Sequence, residues 1–148
     1  MRAMTAIRPL RREDEAAWRR LWEAYLAFYD AALPEEVYAT SFARLVAPEV
    51  ADYRGLLACQ DDVPVGLAHV IFHRHGWQVE DACYLQDLFV DPETRGTGAG
   101  RALIEAVYAM ADANGTPKVY WLTQDFNTTA RALYDRIGRA TPFIKYVR

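Results

Sequence analysis

The succession of apolar and turn-forming segments predicts a mixed α+β fold in the order β-α-α-β-β-β-α-β-α-β. Three observations carry this expectation. Two apolar runs joined by Asp61-Asp62-Val63-Pro64 have the form of an antiparallel hairpin. Between Cys83 and Leu122 a strand, a glycine-rich loop, a helix and a second strand follow one another, as in a parallel crossover. Elsewhere the apolar residues recur at helical spacing. Antiparallel pairing first and a crossover later imply a mixed sheet.

Taken in order, Ala6-Ile7-Arg8-Pro9-Leu10 forms a short edge strand, because Pro9 has no N–H to give a central ladder. A helix starts near Asp14, an N-cap residue followed by Glu15, and carries Trp18, Leu21, Trp22, Tyr25, Phe28 and Tyr29 on its apolar side. Leu33-Pro34 breaks it, and a second helix runs from Pro34 or Glu35 toward Val46, closed by Pro48. The hairpin strands are Leu56–Gln60 and Val65–Phe72, followed by a polar loop, His73 to Asp81. Cys83–Val90 is a strand ending at Asp91-Pro92. The next helix has the apolar stripe Leu103, Ile104, Val107, Tyr108 and Ala111, and stops at Gly115-Thr116-Pro117. Val119–Leu122 is a buried strand, Asn127–Ile137 a last helix ended by Gly138, and Phe143–Val147 a terminal strand.

The 148 residues suit one domain, spanning 1–148. Seventeen basic against twenty acidic residues give a net charge of −3, which argues against nucleic-acid binding through a basic surface. Two cysteines make neither a disulfide scaffold nor a four-ligand metal site. No stretch approaches the roughly 18 apolar residues of a membrane span, so no membrane partner is expected. Met1–Thr5 leads into the first strand without a signal-peptide apolar run, and a cytoplasmic location is expected.

The strongest chemical signal is the loop Arg95-Gly96-Thr97-Gly98-Ala99-Gly100-Arg101. A strand, closely spaced glycines and a helix aim several backbone N–H groups and the positive end of a helix dipole at one point, which suits phosphate. A Walker loop needs Lys-Ser/Thr after its last glycine, where Arg101-Ala102 stands; a dinucleotide fingerprint begun at Gly96 needs glycine at 101. Both nucleotide patterns therefore fail, and Arg-x-x-Gly-x-Gly from Arg95 to Gly100 remains. That run resembles the acetyl-coenzyme A loop of the GCN5-related N-acetyltransferase (GNAT) superfamily. Tyr84-Leu85-Gln86-Asp87-Leu88-Phe89-Val90 before it, and Val119–Thr123 through Asn127-x-x-Ala130-x-x-x-Tyr134 after it, stand in the family's order. Residues 84–147 are most similar to its histone and polyamine acetyltransferase branch; the first 80 agree in element order alone.

The resemblance implies a mostly antiparallel mixed sheet of six to seven strands, splayed between strands 4 and 5 and flanked by about four helices. It implies acetyl-CoA as co-substrate, with no metal. The pantetheine arm would pair with the backbone of Leu88, Phe89 and Val90, and the amides of Arg95, Gly96, Thr97, Gly98, Ala99 and Gly100 would hold the pyrophosphate, with Arg95 and Arg101 adding charge. Asn127, Ala130 and Tyr134 share one helical stripe at i, i+3 and i+7. Asn127 is also a strong N-cap. Facing the gap, it would contact the pantetheine amide, Ala130 would leave room, and Tyr134 would sit near the thioester sulfur.

Acetyl transfer needs a neutral amine, a stabilised oxyanion and a protonated leaving thiolate. A lysine-like amine, with a pKa near 10.4, is neutral in only about one molecule in 2,500 at pH 7. Tyr134 is the candidate general acid, the alternative being a core tyrosine beside Leu133 and Ile137; the backbone N–H of Phe89 or Val90 is the oxyanion donor that the family implies. Some polyamine-acetylating relatives carry glutamate where this chain has Gln86, which cannot take a proton. Alternation puts Asp87 on the opposite face, as hydrogen-bonded structure or as base, and no base is assigned. Cys59 and Cys83 suit buried small hydrophobes, and His73-Arg74-His75 a polar loop rather than a metal site.

Tyr25, Tyr29, Asp30, Glu35, Glu36, Glu80 and Asp81 favour a cationic acceptor, a polyamine or lysine-like amine, with Tyr25, Tyr29, Glu80 and Gln86 as substrate-binding candidates. The expected activity is N-acetylation of a small-molecule or lysine-like primary amine. A catalytically silent acyl-CoA sensor is the alternative. The apolar terminal strand, with nothing after it to cover an edge, leads to the expectation of a homodimer.

Overall fold

The computed structural model describes residues 4–94 and 96–148. Its elements are β1 (Thr5–Pro9), α1 (Glu15–Phe28), α2 (Glu35–Val46), β2 (Tyr53–Gln60), β3 (Val63–His73), β4 (Ala82–Val90), α3 (Ala99–Ala113), β5 (Lys118–Tyr120) and α4 (Thr128–Ile137). The five strands form one sheet in sequence order, β1 to β4 antiparallel and β4–β5 parallel. Asp61 and Asp62 take positive φ in the two-residue turn between β2 and β3. Short polar side chains tolerate that left-handed backbone, whose twist matches a hairpin.

Each face of the sheet buries a separate cluster. Trp18, Leu21, Trp22 and Leu26 of α1, with Phe42 and Leu45 of α2, cover Leu57, Cys59, Leu67 and Phe89. On the other face Leu103, Ile104, Val107 and Ala111 of α3 cover Leu56, Ala58, Ala68, Val70, Cys83 and Leu85. Burying each of the leucine, isoleucine, valine and phenylalanine side chains among these contributes about 1.5–3 kcal/mol. The two cysteines are unpaired and buried, and burial pushes the Cys83 thiol up to about 11. The Asp14 carboxylate ties β1 to the start of α1. It accepts two hydrogen bonds from the Arg8 guanidinium, at 2.7 and 2.8 Å, and one from the Arg11 amide at 2.7 Å.

Two irregularities shape the site. Asp87 pairs with His69 and Leu85 with Val70, so Gln86 is an extra residue, a β-bulge. The bulge reverses the alternation: Cys83 and Leu85 belong to the α3 cluster, whereas Phe89 belongs to the α1 cluster. The second irregularity is the brevity of β5. It pairs with β4 only from Ala82↔Lys118 to Tyr84↔Tyr120, and beyond Tyr84 the two strands part. Among the described residues, β4 from Leu85 to Val90 has β3 on one side and no strand on the other.

The strand count is lower than expected. Val119–Leu122 forms strand only within Lys118–Tyr120, and Phe143–Val147 forms none. The terminal residues have no regular secondary structure and are exposed, with Phe143, Ile144, Tyr146 and Val147 all more than three-quarters accessible. A strand needs a neighbour to accept its hydrogen bonds, and the described residues offer this segment none.

Candidate active site

The parted strands open a cleft of about 710 Å3. Leu88, Phe89 and Val90 form its β4 wall, Asn127, Ala130, Leu133 and Tyr134 its α4 wall, and Gly96, Gly98, Ala99, Gly100 and Arg101 one end. At the α1 end stand Tyr25, Phe28 and Tyr29. The cleft thus gathers residues separated by more than a hundred positions.

The glycine loop is built for close approach by a ligand. Gly96 and Gly98 take φ of +83° and +88°, and a Cβ at either would meet nothing within 4 Å. The conformation favours glycine, and the space a side chain would fill is open. Gly98 is the N-cap of α3, and the first intrahelical bond is Ala102 N–H to Gly98 C=O. Helix geometry gives the amides of Ala99, Gly100 and Arg101 no partner inside the helix. An elongated ligand with a diphosphate head fits this arrangement. Thr97 instead pins the loop to β2, its hydroxyl donating to the Thr94 carbonyl and accepting from the Gln60 amide. Arg101 lies on the cleft rim in an ion pair with Glu105. Arg95 lies outside the described residues.

The Asn127 side chain accepts from the Ala130 amide, so it caps α4 while lining the cleft. Tyr134 packs edge-on against Trp121 with centroids 5.5 Å apart. Burial, with a smaller contribution from Tyr29, raises its phenol pKa, so it is a protonated donor at neutral pH. Tyr25 stacks on Trp22 and meets Phe89 edge to face. Burial first, then the charge and hydrogen bond of Asp87, hold its phenol well above the ordinary value.

Two candidates fall elsewhere. Glu80 is exposed in the loop before β4, its carbonyl accepting from Gln78, and Gln86 points outward from the bulge; neither lines the cleft. The same bulge carries Asp87 off the face that holds Cys83 and Leu85. Asp87 is buried on the α1 face, where its carboxylate lies 2.9 Å from His69 Nδ1, and His69 Nε2 accepts from the Trp18 indole at 2.9 Å. The three histidines part company: His73 bonds the Tyr120 hydroxyl and His75 accepts from the Trp77 amide. Sequence reasoning passed over Phe28, Leu133 and Arg136, which line the cleft. Phe28 belongs to the same aromatic run as Tyr25, and Leu133 adjoins Tyr134, so the signal was present.

The Acetyltransferase (GNAT) family profile matches residues 17–138. The D-amino-acid N-acetyltransferase HPA3 of Saccharomyces cerevisiae is 39% identical over 144 residues, covering 96% of this chain and 89% of the relative. Among solved structures, AAC(6')-Iy in complex with the bisubstrate analogue CoA-S-monomethyl-acetylneamine superimposes with a TM-score of 0.87 at 19% identity, covering 99% of this chain and 98% of that one. The ribosomal-protein-alanine N-acetyltransferase of Brucella melitensis biovar Abortus 2308 gives 0.81 at 20% identity, covering 98% and 99%. The open sheet, the glycine loop and this shared sequence lead to one conclusion: the chain belongs to the Acetyltransferase (GNAT) family and is an N-acetyltransferase.

Proposed function

We propose that this enzyme moves an acetyl group from acetyl-CoA to a small primary amine by direct attack. The observation that carries the reading is the single cleft joining the glycine loop, the unpaired stretch of β4 and the three phenols of Tyr25, Tyr29 and Tyr134. Solved neighbours of the same fold hold CoA or a CoA-linked analogue, which supports the choice of donor.

The amides from Gly96 to Arg101 would hold the diphosphate, and the free edge at Leu88–Val90 would satisfy the amides of the pantetheine arm. Asn127 and the small Ala130 would border that arm. Bound acetyl-CoA supplies a thioester carbonyl open to a neutral amine. The Phe89 or Val90 amide stabilises the developing oxyanion; as the C–S bond breaks, Tyr134 gives its O–H proton to the departing sulfur, and the proton lost by the attacking nitrogen restores the phenol, leaving an amide and a free thiol. Tyr25 and Tyr29 flank the acceptor. Its class is a small-molecule or lysine-like primary amine, with D-amino acids a natural arm of any screen given the yeast relative. The exposed apolar tail, Phe143–Val147, fits a homodimer in which it pairs with a second copy.

The test is an acceptor screen, with polyamines, lysine, D-amino acids and aminoglycosides offered together with acetyl-CoA and the acetylated product detected by mass. Acetylation of an amine, with one thiol released per product, supports the reading. CoA binding with every amine left unmodified would replace it by an acyl-CoA sensor.

A further inference from the structure

We propose that Tyr25 and Asp87 form a proton relay that neutralises the acceptor amine, its inner end fixed by His69 and Trp18. The inference rests on the acetyl-transfer reading and supplies the base that reading lacks, since Gln86 is an amide outside the cleft.

The relay is ordered from its buried end. A Trp indole N–H can only donate, so the contact from Trp18 makes His69 Nε2 an acceptor. A neutral imidazole accepting there carries its proton on Nδ1, which points at Asp87 Oδ2 2.9 Å away. His69 is 1% exposed and Asp87 8% exposed, so the alignment is held by packing. The carboxylate therefore receives a hydrogen bond on its inner side. On its outer side its charge bears on the Tyr25 phenol, and Tyr25 and His69 both pack on Trp22, with ring centroids 5.1 and 5.0 Å away. Tyr25 lines the cleft next to Phe89, and the phenols of Tyr29 and Tyr134 act on it electrostatically, so the relay emerges where the reaction takes place.

Stability does not account for this cluster. An apolar set of similar volume commonly stabilises a core as well as buried polar pairs do. The bulge at Gln86 is what turns Asp87 toward the α1 face, and bulges recur beside active sites, where they re-aim side chains. Other titratable groups facing Asp87 are Tyr53 of β2 and Tyr84 of β4, both phenols raised by burial and then by Asp87, with Arg44 of α2 acting on Tyr53. None of these three lines the cleft.

The step balances. An ammonium N–H bond breaks and its proton passes to Tyr25 Oη, while the Tyr25 O–H proton passes to an Asp87 oxygen. Tyr25 remains a phenol, Asp87 becomes a neutral carboxylic acid, and the amine becomes a neutral nucleophile. After product leaves, the proton returns to solvent by the same path. Asp87 is thus a positioning and proton-holding residue acting through Tyr25.

The experiment compares wild type with Asp87→Asn and Tyr25→Phe. Asparagine still offers His69 an acceptor oxygen, and phenylalanine keeps the stack on Trp22. For an amine that wild type acetylates, kcat/KM is measured from pH 6 to 10, with acetyl-CoA Kd and Tm alongside. The relay predicts a loss of about 100-fold or more at pH 7 in both variants. That loss should shrink to less than about tenfold near the amine's own pKa, where a base is no longer needed, while acetyl-CoA affinity stays within about threefold. Should Asp87→Asn fail to fold, Tyr25→Phe carries the same comparison. A deficit equal at every pH, a loss confined to acetyl-CoA binding, or full activity at pH 7 would overturn the relay alone. A wild-type enzyme that acetylates no amine would overturn the acetyl-transfer reading and the relay with it.

Discussion

Replacing Gly98 by aspartate separates ligand binding from folding. In the free protein, Cβ at this position meets nothing within 4 Å, so the cost is conformational: a side chain at φ +88° loses roughly 1–2 kcal/mol. Aspartate offsets part of this, since a carboxylate at a helix N-cap interacts favourably with the free amides and the dipole, by about 0.3–1 kcal/mol. The net loss of stability is therefore between about 0 and 1.7 kcal/mol. Binding is different. A carboxylate about 4 Å from a diphosphate charge costs roughly 4 kcal/mol at an effective dielectric of 20. At about 1.36 kcal/mol per decade, CoA affinity should fall by about a thousandfold. Calorimetry gives Kd, and a thermal melt gives a second readout: CoA at about 100 times the wild-type Kd stabilises wild type by about 2.7 kcal/mol and should barely move the variant. Gly98→Ala controls for backbone strain without charge. An aspartate variant that binds CoA as tightly as wild type would refute the placement of the diphosphate.

Three further outcomes are expected. Tyr134→Phe should lower kcat by about 100-fold or more while acetyl-CoA KM changes little, as steady-state kinetics will show; because burial raises the Tyr134 pKa, wild-type kcat should show no decline from loss of this proton below about pH 10. Asp14→Asn should destabilise by about 1.5–3 kcal/mol at pH 7. The Arg8 hydrogen bond lowers the Asp14 pKa in the folded state, so its contribution is present above the unfolded pKa near 3.9 and lost as pH falls through the folded one; the Tm gap between variant and wild type should narrow over that acid range and close once the folded carboxyl is protonated. By light scattering the full chain should have the mass of a dimer and a chain lacking residues 142–148 that of a monomer; a monomeric full chain would contradict the proposed homodimer, and a truncated chain that stays dimeric would place the interface elsewhere.

Much of this architecture can be read locally, because local chemistry specifies it. The α1 stripe from Trp18 to Leu26, the Asp61-Asp62 turn and the glycines entering α3 each follow from spacing, φ preference or capping. What escaped depends on partners distant in sequence. The bulge at Gln86 arises from the register of β4 on β3, and no residue type at 86 announces it. It carries Asp87 to the face opposite Cys83 and Leu85, and with it hides the contact between His69 and Asp87, 18 positions apart. The segment Phe143–Val147 has strand chemistry, but whether it forms a strand depends on what lies beside it. The cleft was more legible than its floor, because the glycine loop and the Asn127–Tyr134 stripe are short motifs. The α1 end of the cleft is assembled from single aromatic residues, Tyr25, Phe28, Tyr29 and Phe89, that no short motif announces.

A crystal structure of the protein with CoA bound decides whether the glycine loop and the open edge of β4 hold the donor. The diphosphate should lie on the amides between Gly96 and Arg101, and the pantetheine arm should be hydrogen-bonded along Leu88–Val90 with its sulfur beside Tyr134. A cleft closed by β5, or CoA bound elsewhere with the glycine loop empty, would contradict this placement.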